Sequence, residues 1–460
     1  MKKLVVILLV ALLIPLAAAE PFQWVVELNF PPEEVEYVDG ALFVGAHAES
    51  ETDRNVLLVK FVDGKQVWAR EYGGDKSDVL GSMVSYGNGL LIAGTTYSFG
   101  RLGAGFLMAV DNDGKVLWAK TYRGPLGQGM LEAAVPGENG IVATGSVVIE
   151  GFNGREFALW VLKTNRNGSV VWSRVYNIED GLETGGGIAV SGNRIAVAGT
   201  TSEPDGSILL LLDGNGRLLK KLVFGGISVD RIAPTPDGGF IAGGLDGSLV
   251  RKSFAVLIKL SGEFDIEWFL EYQGYDYLDV SDVEPLGNSY IAGGRSVLME
   301  VSSNGSVRWA SRIYVNSLSR ADGLLAFCGV VEDEKPKRVA GIFDPGSGKV
   351  PFGEPMELLV SEGSPYSPEV ELTAMDVETE EEAVQMGTRE GRVKFRELWR
   401  VGTPTSRPTT SSVTERQESE PKSPTKTGTD KPKDNGKETC GPGVLVPMAL
   451  LVLLKKRRER

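Results

Sequence analysis

The sequence predicts an all-β fold, an eight-bladed β-propeller closed by its N-terminal strand, and three observations carry that expectation. A short apolar run ending in glycine recurs eight times, at Gly45, Gly94, Gly145, Gly199, Gly243, Gly293, Gly329 and Gly387. A second landmark, usually tryptophan, follows each of the first seven glycines, at Trp68, Trp118, Trp172, Lys220, Trp268, Trp309 and Phe352, and an eighth, Trp24, precedes them all. The spacing of 41 to 54 residues is too long for a leucine-rich or helical solenoid and suits a four-stranded blade.

Each element of the repeat has a physical reason. Asp-Gly or Asn-Gly at 63–64, 113–114, 167–168 and 304–305, and Asp213-Gly214, sit between alternating runs and read as hairpin turns. The glycine closing each apolar run permits a bend or a close approach between strands. The unit then reads as an inner strand, a second strand ending at the glycine, a third strand, a tight turn and an outer strand carrying the aromatic. Trp24 has no glycine landmark before it, and Gly387 has no outer strand after it. The N-terminal strand is therefore expected to dock beside strands from about 369 to 402 and to complete the last blade, removing exposed strand edges. A seven-bladed ring is the alternative if the degenerate stretch 318–368 is an excursion.

The ends of the chain divide it into four parts. Residues 1–19 place Lys2 and Lys3 before an apolar run and end in Ala17, Ala18 and Ala19, the pattern of a secretory signal peptide. Residues 20–402 form the propeller ectodomain. Residues 403–439 are rich in Thr, Ser and Pro, hold almost no apolar side chains and suit a solvated stalk. Residues 440–460 run from Cys440-Gly441-Pro442 through a short apolar segment to Lys455, Lys456, Arg457 and Arg458. That segment falls short of the roughly 20 apolar residues of a membrane-spanning helix.

Two resemblances follow from these residues. Gly114-Lys115-Val116-Leu117-Trp118 looks like the PQQ-like, quinoprotein-type propeller repeat, a likeness that runs periodically over 21–402. It implies a ring in which outer-strand tryptophans pack between neighbouring blades. The Cys-Gly-Pro tail resembles the CGP-CTERM sorting signal of archaeal surface proteins. It implies tail removal, lipid attachment at Cys440, and a protein secreted and anchored to the outer face of the cell membrane.

Composition narrows the chemistry. With 61 acidic against 48 basic residues and no basic stripe, nucleic acid is not an expected partner. His47 is the single histidine, which rules out multi-histidine metal sites. No G-x-S-x-G elbow accompanies it. Cys328 lacks the vicinal cysteine of many quinoproteins, and Asp111 and Asp113 read as turn residues rather than calcium ligands. No cofactor, no metal and no catalytic residue is therefore assigned. Asn167-Gly168-Ser169 and Asn304-Gly305-Ser306 match glycosylation acceptors, but the need for Asn-Gly in a hairpin already accounts for them.

Binding residues are expected where the repeats differ, because loops on a rigid scaffold carry recognition. The candidates are Tyr97, Phe99, Phe152 and Arg155 between second and third strands, and Tyr272, Tyr275 and Tyr277 in a connection between blades. Both kinds of connection leave the same face of a propeller. The expected function is a noncatalytic surface module, bound to the membrane by its tail, that presents this face to a protein, peptide or glycan. The alternatives are an extracellular hydrolase or quinone-dependent dehydrogenase using channel carboxylates, and a structural envelope component.

Overall fold

A computed structural model describes residues 23–401 except 50–53, 101, 152–153, 179–181, 250–251, 275–276, 333, 348–349, 351–352, 364–371 and 391–392. The signal, stalk and tail segments, with Cys440, lie outside the described residues, as do Phe152 and Tyr275.

Seven sheets form the ring, so the expected eight blades are corrected to seven. Blade 1 comprises Pro32–Val38, Ala41–Glu49, Arg54–Val62 and Lys65–Gly73 from axis to rim. Blades 2 to 6 repeat this antiparallel order and start at Asp78, Gly129, Glu183, Ile227 and Asp282. Blade 7 takes its first three strands from Tyr314–Ala321, Leu324–Val331 and Lys337–Phe343, and its fourth from the N-terminal Gln23–Leu28. Trp24 pairs with Ile342 there, so the ring closes through the N-terminal strand, one blade earlier than the sequence suggested. The eighth glycine misled the count. Gly387 pairs with Gly73 on the rim of blade 1 and belongs to no blade core.

Among the described residues, the stretch after blade 7 forms a belt that adds a fifth strand to six blades. Glu354–Pro355 joins blade 6, Leu359–Glu362 blade 5, Leu372–Asp376 blade 3, Glu380–Ala383 blade 2, Gly387–Glu390 blade 1 and Phe395–Val401 blade 7. The belt thus runs round the rim in the sense opposite to the blades, and its last strand covers the N-terminal one. Expected docking of the N-terminus against 369–402 holds only for Phe395–Val401.

Burial follows the repeat. The core is divided into seven clusters, one between each pair of neighbouring blades, such as Phe43, Tyr72, Phe106 and Met108 between blades 1 and 2. Belt side chains plug several of these clefts: Met386 and Val384 enter that cluster, Val377 the next, and Met356 and Leu358 the one between blades 5 and 6.

The landmark glycine has a steric cause. The inner strand bulges opposite it in six of the blades, as between Leu131 and Ala133 opposite Gly145 and Thr144. A Cβ on Gly145 would lie 2.1 Å from the carbonyl oxygen of Met130, and one on Gly329 1.9 Å from that of Tyr314. No side chain fits that approach at Gly94, Gly145, Gly199 or Gly329, whereas at Gly45, Gly243 and Gly293 a Cβ would meet Leu80, Val280 and Val315 instead.

The aromatic landmark clamps adjacent blades. Trp68, Trp172 and Trp268 donate Nε1–H to the carbonyls of Asn112, Gly214 and Ser303 in the next blade's turn, at 3.4, 3.2 and 3.0 Å. Four residues beyond three of the tryptophans, Tyr72, Tyr122 and Tyr272 donate their hydroxyls to Gly114, Gly168 and Gly305 at 2.6, 2.6 and 2.8 Å. Tyr176 does the same to Gly216. In the turns themselves Asp111 Oδ1 accepts the amides of Asp113 and Lys115 at 3.0 and 2.8 Å, which accounts for Asp111 as a turn residue.

Candidate functional site

Connectivity places the outer-to-inner and second-to-third connections at one end of the ring, and two rigid aromatic presentations stand there. The loop after Thr96 is pinned at several points: Tyr97 N–H donates to Ser77 O at 2.9 Å, Lys76 N–H to Ser98 Oγ at 3.0 Å, and Arg123 Nη1 to Phe99 O at 3.1 Å. Phe99 is half-buried against the cluster between blades 1 and 2. Tyr97, two residues earlier, keeps 41 % of its surface exposed, and Leu102 keeps 51 %. Gly103, at φ 96°, allows the chain to pass close to the Tyr97 ring.

The second presentation lies between blades 5 and 6. Leu278 is fully buried and its amide donates to Ser253 O at 3.3 Å, while the adjacent Tyr277 is 52 % exposed. In both cases a neighbouring side chain, half-buried Phe99 or fully buried Leu278, anchors the segment that carries an exposed tyrosine. Arg155 is exposed on the hairpin of blade 3, opposite Glu150. Tyr272 is corrected: it is fully buried, and its hydroxyl serves the blade clamp, so it has no surface to offer a ligand. The remaining candidates are spread over blades 2, 3 and 5 to 6 rather than gathered in one cleft.

The axis holds a group that sequence reasoning missed. Inner strands from five blades direct Glu34, Glu36, Glu132, Asp230, Asp282, Glu284 and the cations Arg231 and Arg320 towards one another. Arg231 lies 3.8 Å from Glu34 across the ring and donates from Nη1 to Gly186 O at 3.4 Å. Arg320 lies 3.4 Å from Glu284. The side chains of Arg231 and Glu34 retain 35 % and 15 % exposure, so solvent reaches the axis.

Desolvation inside the ring dominates their acidity. It raises Glu34 and Glu284 to about 8 and Glu132 to about 7, against the opposing pull of Arg231 on Glu34 and Glu132 and of Arg320 on Glu284. It also raises Glu36, Asp230 and Asp282. Several of these groups cap the free edges of inner strands: Asp282 Oδ2 accepts Leu318 N–H at 2.7 Å, and Glu36 Oε1 accepts Ser85 N–H at 3.0 Å. Ser317 Oγ accepts Val35 N–H at 3.2 Å and donates to Glu34 Oε2 at 3.1 Å. His47 belongs to the same hub, with Nδ1 2.6 Å from Glu33 Oε1 and Nε2 accepting the Leu80 amide at 3.0 Å. Among the described residues no three His, Cys, Asp or Glu side chains are arranged to hold a metal ion.

The only early signal for this hub was the placing of charged residues inside strands before each glycine, as in Asp230-Arg231 and Glu33-Glu34. Nothing local states that these strands converge on an axis.

No protein-family model matches the sequence, and no curated protein matches it. Among solved structures the chain is similar to the Pan2 WD40 domain of Neurospora crassa, at 14 % identity and a TM-score of 0.44 over 71 % of this chain and 92 % of that one. It is similar to Sqt1 of Chaetomium thermophilum, solved bound to the N-terminus of ribosomal protein L10, at 14 % identity and 0.42 over 65 % and 82 %. Hydrazine synthase of Kuenenia stuttgartiensis gives 11 % identity and 0.45 over 74 % and 97 %. At such scores and identities these likenesses say nothing of activity, and the fold rests on the ring of seven sheets itself. The chain is a β-propeller.

Proposed function

We propose that this chain is an exported interaction module, anchored at the cell surface, whose loop face receives a protein, peptide or glycan partner. The observation that carries the reading is the pairing of exposed Tyr97 and Tyr277 with half-buried Phe99 and fully buried Leu278 on one end of a rigid ring. Aromatic side chains held ready in this way bind with little loss of conformational freedom. The resemblance of residues 1–19 to a signal peptide and of the Cys440 tail to a CGP-CTERM signal supports export and anchoring, and the PQQ-like repeat supports the ring as a scaffold.

Cross-linking on intact cells followed by mass spectrometry, with a glycan array probed in parallel, tests the reading. A captured partner should lose at least about tenfold in affinity, about 1.4 kcal/mol, when Tyr97 and Tyr277 are both replaced by alanine. Unchanged capture by that variant would contradict it. The axial acids with acidity near neutrality favour one second reading, a hydrolase. Turnover of a glycoside or peptide substrate that vanishes in Glu132→Gln would establish it.

A further inference from the structure

We infer that Asn167 is an N-linked glycan acceptor on the face opposite the binding loops, and that Asn304, in the same sequence motif, is not. The inference rests on the export reading above. Both asparagines precede a glycine in the turn between third and outer strands, with a serine two residues on. The two turns use them differently.

In blade 3 the turn is closed without Asn167. Asn165 Oδ1 accepts the amides of Asn167 and Ser169, each at 2.9 Å, and Asn165 exchanges backbone bonds with Ser169 and Gly168 at 2.8 and 3.1 Å. Gly168 supplies the positive φ of 76°. The Asn167 carboxamide is exposed and makes no hydrogen bond among the described residues. In blade 6 the first turn position is Ser302, whose shorter side chain leaves the work to Asn304: Asn304 Oδ1 accepts Ser302 Oγ–H at 2.6 Å and Ser306 N–H at 3.3 Å. The hairpin requirement that accounts for Asn304 therefore does not account for Asn167.

The chemistry asks for a free carboxamide with a hydroxyl two residues away. The Asn167 Nδ2 bonds to the anomeric carbon of a lipid-linked sugar phosphate; the carbon–oxygen bond to phosphate breaks, phosphate leaves with the electron pair, and Nδ2 gives up a proton. Asn215 offers an internal control. It holds the same turn position, Asp213 Oδ1 accepts the amides of Asn215 and Arg217 at 2.9 Å as Asn165 does in blade 3, and Arg217 stands where the serine would be. A glycan on Asn167 would keep its face from packing against other molecules and leave the loop face free.

Glycopeptide mass spectrometry of the full chain recovered from the cell surface tests this, with the N-terminal residue determined on the same sample. Expected are a sugar on Asn167, a bare Asn304, and a second sugar on Asn215 in Arg217→Ser. Asn167→Gln should lose the mass increment and keep its melting temperature. A bare Asn167 in a chain whose leader has been removed overturns the inference alone, as does equal occupancy of Asn167 and Asn304. An intact leader with every sequon bare overturns the export reading with it.

Discussion

The blades and the belt are built from the same strand pairing but held by different forces. Between blades, side chains such as Phe43, Phe106 and Trp160 are fully buried, and each cleft is a small hydrophobic core. Along the belt, Glu354–Pro355, Leu359–Glu362, Glu380–Ala383 and Gly387–Glu390 are exposed throughout. Main-chain bonds, a few apolar plugs and ion pairs such as Lys120 with Glu381 at 2.5 Å hold it. Burial that repeats leaves a periodic sequence, whereas edge pairing accepts almost any residue. Loss of stability should accordingly be steep in the blades and shallow in the belt.

The largest effect is expected at the point where the two regions meet. Trp24, 2 % exposed, sits in the strand that closes blade 7 and lies beneath the belt. Trp24→Ala should cost about 3 to 5 kcal/mol in thermal or denaturant unfolding. Half-buried Trp118→Ala should cost clearly less, and equal losses would erase the distinction between closing and ordinary blades. Next comes the clamp: Tyr122→Phe leaves the Gly168 carbonyl without its hydroxyl donor and should cost about 1 to 3 kcal/mol.

The hub gives the ring a pH dependence of defined sign. Glu34 and Glu284 bind a proton more tightly folded, at about 8, than at the ordinary 4.5, so their contribution is complete below 4.5 and is lost as pH rises through 8. The melting temperature should rise as pH is lowered from 9 to 5, and Glu34→Gln should flatten that slope. A melting temperature that climbs with pH across this window would refute the account of the hub. The smallest effect is expected in the belt. Glu382, which meets Arg123 at 2.9 Å, should cost no more than about 1 kcal/mol when replaced by alanine, because its side chain is more than half exposed.

What could be read from the sequence follows the same division. Gly94, Gly145 and Gly199 announce the inner-strand bulge because a Cβ there meets a carbonyl oxygen, and Trp68 and Trp172 announce the outer strand because they pack on the next blade's turn. The belt mimicked an eighth blade, since Ala383-Val384 and Met386-Gly387 imitate an apolar run closing in glycine while pairing only with blade rims. The exposed tyrosines were legible as departures from the repeat. Tyr272 carried a different signal: it stands four residues beyond Trp268, as Tyr72, Tyr122 and Tyr176 stand beyond Trp68, Trp118 and Trp172, so it follows the repeat, although its partner Gly305 lies in a neighbouring blade. The convergence of Glu34, Glu132 and Arg231 is a property of ring closure and has no local signature.

Paired cysteines test the ring and its belt most directly. Glu380 lies opposite Arg123, so a chain carrying Arg123→Cys and Glu380→Cys should form that disulfide under mild oxidation and keep its fold. A chain with an eighth blade would hold residues 380–383 beside 395–401 and far from blade 2. Failure of the 123–380 bond, together with ready formation of one between cysteines placed in 380–383 and 395–401, would contradict the seven-bladed, belted ring.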